Sequence, residues 1–165
     1  MKARGYTLLS AAVAALYCVM AFWTLPEIAD QAAGLLPFDL RPFGYSPEEA
    51  QSFLDALSAE GRAYYALIQH RLDLVFPPLL ALWLCLSARK LFAVRVAFAI
   101  CVVAVVGMAA DLGENHFVGE LLKRFDAETV RLASRLTVVK SVSATLCLLA
   151  VLWGFFGHLR ASRDG

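Results

Sequence analysis

The chain has 165 residues, 60% of them apolar and 18% charged, with a formal net charge of +1 and a mean hydropathy of +0.65. Soluble domains are about half apolar and about a quarter charged, so this balance predicts an all-α membrane protein with one domain over 1–165. The small net charge excludes a nucleic-acid binder, which needs a basic excess to neutralise phosphates.

Four apolar stretches are long enough to cross a hydrocarbon core of ~30 Å, which takes about 20 helical residues. The first is Tyr6 to Leu25. Its Met-Lys-Ala-Arg start resembles a signal peptide, yet the run is long and no small-x-small cleavage site follows, so it reads as a retained span. A long outer segment follows. In it Ser46, Pro47 and Glu49 form a capping-box helix start, and Ala50, Phe53, Leu54 and Leu57 recur at i, i+3, i+4 and i+7. This predicts a short amphipathic helix over about 47–58, lying over the outer mouth of the bundle or on the membrane surface. Gly61 is expected to end or bend it. Phe38, Phe43, Tyr45, Tyr64 and Tyr65 are placed for an interfacial aromatic belt.

The second span, about 67–86, has to include His70, Arg71 and Asp73, and carries the pair Pro77-Pro78. Neither proline can donate to the carbonyl four residues back, so a kink is expected beside Asp73. The third span is 91–110 and the fourth 136–156, with Asp126 a candidate cap for the helix that leads into the latter. Each span holds one cysteine, Cys18, Cys85, Cys101 and Cys147, without a CxxC pair. These read as packing residues. Lys2 and Arg4, then Arg89, Lys90 and Arg95, then Arg160 and Arg163 cluster at one side, which places both termini in the cytoplasm.

Charged or amide side chains inside apolar spans are costly and usually face a partner, a cavity or a ligand. Arg62, Tyr65, Gln69, Asp73 and Phe76 share one helical face. Asp111, Glu114 and Asn115 share another, and Thr137, Lys140 and Ser141 a third, with Arg135 above. Two adjacent carboxylates separate their proton affinities, the arrangement that acid–base work uses. Asp73, Asp111, Glu114 and Lys140 are therefore the catalytic candidates. Arg62, Tyr65, Gln69, Asn115, Arg135 and Thr137 are the ligand-binding candidates. Lys140 is expected to pair with Asp73 or Asp111, removing two uncompensated charges together. His70 and His116 lack the spacing of a haem or metal pair, and no cofactor or metal is expected. No GxSxG, HExxH, Walker or dinucleotide motif is present.

The strings Gly61-Arg62-x-x-Tyr65, Asp111-x-x-Glu114-Asn115 and Thr137-x-x-Lys140, after the Tyr45-Ser46-Pro47-Glu48-Glu49 lead-in, resemble uncharacterised bacterial four-helix integral membrane proteins. The resemblance implies an antiparallel four-helix bundle in the bacterial inner membrane and carries no activity. A looser architectural similarity, to sterol-isomerase-like and sterol-binding four-helix proteins, is one of fold alone. Three readings follow. The polar cluster binds a lipid or other amphiphile, it serves a membrane-embedded enzyme, or it is interhelical glue in an assembly subunit. Membrane lipids are the expected partners, with a membrane protein or a second copy of the chain also open.

Overall fold

The computed structural model describes residues 3–161. Lys2 and Arg163, two of the residues that orient the chain, lie outside the described residues. Helix α1 runs Arg4–Asp30 and includes a π-helical turn at Met20–Thr24. Helix α2 is Pro47–Ala56, α3 is Ala59–Leu91 with a second π turn at Tyr65–Gln69, α4 is Val94–Leu121 and α5 is Ala127–Ala161. All regular structure among the described residues is helical. Four helices, α1, α3, α4 and α5, are long and apolar enough to cross a membrane.

These helices overrun the apolar segments. Helix α3 starts at Ala59, eight positions before the hydropathy boundary at 67, and α4 continues to Leu121 instead of stopping near 110. At ~1.5 Å per residue, the 33 residues of α3 make a rod of roughly 50 Å, against a hydrocarbon core of ~30 Å. The excess over that length forms a layer in which protein packs on protein. That layer holds an outer core of Leu25, Ile28, Phe38, Phe53, Leu54, Leu121 and Val130, among others. A second core, built from Ala81, Leu84, Ala97, Ile100, Ala104 and Cys147, ties α3, α4 and α5 lower down.

Local chemistry sets the boundaries in the outer layer. Ser46 Oγ accepts from the Glu49 amide at 3.2 Å while Glu49 Oε2 accepts from the Ser46 amide at 2.7 Å, closing the capping box of α2. The Ala50–Phe53–Leu54–Leu57 stripe then enters the outer core. It faces protein, and the membrane-surface placement for this stripe is corrected accordingly. Helix α2 ends before extended Leu57, and α3 is restarted by Ser58, whose hydroxyl accepts from the Gly61 amide at 2.9 Å. Gly61 thus lies in the first turn of α3 and does not terminate α2. A Cβ there would come within 2.5 Å of Gln31 Cβ, so glycine lets the end of α1 approach.

The aromatic belt is also corrected. Phe38, Tyr45 and Tyr65 are buried, with Phe38 4.7 Å from Tyr45 and 5.0 Å from Phe53 between ring centres and Tyr65 6.3 Å from Phe53, and of the five only Phe43 is fully exposed. Asp126 does cap α5. The Thr129 hydroxyl and amide donate to its Oδ2 at 2.6 and 2.8 Å, and these bonds hold the Asp126 carboxyl below its ordinary value.

Helix α4 packs along both α3 and α5, and α1 leans on α3 without comparable packing against α5. Helix α3 continues through Pro77 and Pro78. It also holds the π turn at Tyr65–Gln69.

Candidate functional site

Lys140 is the hub. Its side chain is 15% exposed, and its Nζ lies 2.6 Å from Glu114 Oε2, 3.1 Å from Asp111 Oδ1 and 3.4 Å from Asp39 Oδ1. Three carboxylates thus surround one ammonium. Helix α4 delivers Asp111 and Glu114 at i and i+3. The 3-10 turn Phe38–Leu40, fixed by buried Pro37 and Phe38, delivers Asp39. Thr137, one turn before Lys140, donates to Glu114 Oε1 at 2.7 Å, so both Glu114 oxygens are engaged in a side chain that is almost wholly buried. Such charge-assisted bonds are the strong ones in a low-dielectric setting. The Tyr65 hydroxyl donates to Asp39 Oδ2 at 2.6 Å and ties α3 into the same cluster.

Tyr45 lies above this group, outside the membrane-spanning helices. Burial, reinforced by the negative charge of Glu114, holds its phenol well above the ordinary tyrosine value.

Asp73 stands apart. Among the described residues it has no ion pair, and the expected Asp73–Lys140 contact is absent; Asp111 and Glu114 are the helix-borne partners of Lys140. Asp73 Oδ1 instead accepts from Gln69 Nε2 at 2.8 Å, and Gln69 Oε1 accepts from Thr24 Oγ1 at 2.5 Å.

The remaining candidates divide. Arg62 donates to the carbonyls of Leu54 and Leu122, both at 2.8 Å, and clamps the end of α2 to the end of α4. Arg135 is exposed with no polar partner among the described residues. Asn115 donates to the His70 carbonyl at 3.3 Å. His70 packs against Gly119 and His116 is exposed beside Phe117, so the two rings do not form a pair. The four cysteines are free thiols.

Beneath the cluster lies a cavity of about 620 Å³, within the size range of small-molecule sites. Its walls are apolar, from Val13, Tyr17 and Met20 on α1, Phe76 and Leu80 on α3, and Met108 on α4. Its charged lining residues are Asp39, Asp73, Asp111 and Lys140. Residues of both α1 and α5 line it, although these two helices pack far less on each other than α1 does on α3.

Asp39 and Thr24 belong to the polar cluster and are missed by span-by-span reading. The apolar stretch from Leu35 to Leu40 is broken by a single acid, the same signal that marks Asp73. It falls outside the predicted spans, where an acid attracts no notice.

Comparison with protein families, curated proteins and solved structures finds no match. The chemistry of the site itself carries the functional argument.

Proposed function

We propose that this chain is an antiparallel four-helix bundle of the bacterial inner membrane, a single domain with both termini cytoplasmic, that binds one lipid-like amphiphile. The observation that carries the reading is the cavity of about 620 Å³ with apolar walls and all its charged residues gathered among Asp39, Asp73, Asp111 and Lys140. Apolar walls take a hydrocarbon tail and convergent polar groups take the head. The sparse packing of α1 against α5 supports a lateral way in for a membrane-dissolved molecule.

The role of the cations differs from the sequence expectation. Arg62 is spent on backbone carbonyls and Arg135 is exposed, so neither supports a head group in the cavity.

The test is native mass spectrometry of the protein released from detergent. An amphiphile should co-purify with the native chain. Ala144→Phe, which puts a ring into the cavity wall, should cut its occupancy by about tenfold, equivalent to ~1.4 kcal/mol, with little change in melting temperature. A native protein that carries no amphiphile and takes up none when lipids are added ends this reading.

A membrane-embedded enzyme is the second reading, favoured by two carboxylates, Asp73 and Asp111, that both border the cavity. It predicts that Asp73→Asn retains a bound molecule whose mass differs from the one the native protein holds. The glue reading accounts for Thr137, Glu114 and Lys140 and leaves the cavity without a purpose.

A further inference from the structure

The charge balance at the polar end of the cavity specifies the head group, an inference that rests on the amphiphile reading above. Lys140 is already within 3.4 Å of three carboxylates, Asp39, Asp111 and Glu114. Asp73 is only 5% exposed and borders the cavity, and no cation of the described chain lies within ion-pair reach of it. An acid in a membrane helix without a counter-charge is expensive, and such residues mark ligand or ion sites.

Asp73 is also aimed. Its Oδ1 is held by Gln69, and Oδ2 has no hydrogen-bond donor among the described residues. The Gln69 amide is fixed at both ends, its carbonyl by Thr24 and its NH2 by Asp73. Thr24 and Gln69 are the last residues of the two π turns, Met20–Thr24 and Tyr65–Gln69, and both are buried. A π turn inserts one residue into the helical register and so re-aims the side chains at its end, which is why such turns gather at functional sites. Two of them, on adjacent helices, meet in a single hydrogen bond whose product is an oriented carboxylate with one open oxygen.

An anionic head placed here would face Asp39, Asp73 and Asp111 and find only a lysine already shared by three carboxylates. A cationic head supplies the counter-charge that Asp73 lacks and a donor for its open oxygen. We propose that the cavity selects amphiphiles bearing a protonated amine, with Asp73 as the recognising residue and Gln69 and Thr24 as the residues that position it.

The experiment uses the full-length protein in detergent at neutral pH, with native mass spectrometry of three single-chain probes: hexadecylamine, hexadecanol and palmitate. The amine should exceed palmitate in occupancy by about tenfold on the native chain, a difference of ~1.4 kcal/mol. Asp73→Asn should collapse that preference to within about twofold while hexadecanol still binds, and Gln69→Leu, which keeps the acid but frees it, should weaken it. Equal or greater occupancy by palmitate on the native protein overturns the inference, as does an Asp73→Asn protein that keeps the amine preference. If Asp73→Asn does not fold, the amine-to-palmitate ratio of the native chain decides alone. Failure of all three probes to bind would remove the amphiphile reading itself. Indiscriminate binding would remove only the head-group assignment.

Discussion

At the scale of single residues, Lys140 controls what the acids around it can be. Its ammonium sits between Asp39, Asp111 and Glu114 at 3.4, 3.1 and 2.6 Å, in a setting with little water to compensate a lost partner. Removing one member of a buried pair strands the other, at a cost of about 3–5 kcal/mol, whereas replacing both is far gentler. Lys140→Met should therefore lower the melting temperature sharply. Glu114→Gln combined with Lys140→Met should recover part of the loss, because Thr137 can still donate to the amide oxygen. Thermal melts in detergent that show strictly additive losses would refute direct coupling. Asp111, Glu114 and Lys140 were legible as a set because helical spacing and intramembrane cost point at them independently. Asp73 is legible as an unusual acid, with Gln69 one turn before it on the same face, but the Thr24 contact that fixes Gln69 from another helix is not. Register along a helix says which residues share a face and leaves open which neighbouring face meets it.

At the scale of elements, the outer layer depends on short turns whose geometry tolerates few side chains. Gly44 has φ +87°, and a Cβ at that position would come within 2.7 Å of Ser134 Oγ, the atom that accepts from the Tyr45 amide at 2.8 Å. Gly44→Ala should destabilise by roughly 1–3 kcal/mol, the usual cost of a non-glycine residue in left-handed backbone, with the steric contact adding to it. The same melting assay checks it, and a variant as stable as the native chain would show that this turn shifts freely. The α2 helix was readable to within two residues because Ser46, Pro47, Glu49 and the apolar stripe all agree. The two π turns carry no comparable signature. They are set by how α1 and α3 pack at Thr24 and Gln69, a tertiary matter.

At the scale of the whole molecule, the four long helices each exceed the length that a hydrocarbon core needs, and the excess packs with α2 into a separate core. In the proposed orientation, α2 and the outer core face away from the cytoplasm, while the α3–α4 turn at Phe92–Ala93 faces it. A cysteine-free background gives a direct check. Glu48→Cys on α2 should react with a membrane-impermeant maleimide in intact spheroplasts, and Arg89→Cys near the end of α3 only after permeabilisation. Both positions are exposed, so a reversed pattern would invert the topology.

What the sequence determined by itself was the number of long apolar helices and their apolar centres, the capped helix at Pro47 and most of the polar residues that converge. Those properties are local: hydropathy over one helix, and spacing over a few turns. Tertiary structure alone decided that Asp39 completes the Lys140 cluster, that Arg62 is a structural clamp, that the aromatic residues form a core, and that Asp73 is left facing a cavity. Each of these depends on contacts between residues far apart in the chain, such as Asp39 with Lys140 or Thr24 with Gln69. Pattern along one helix carries no record of such contacts.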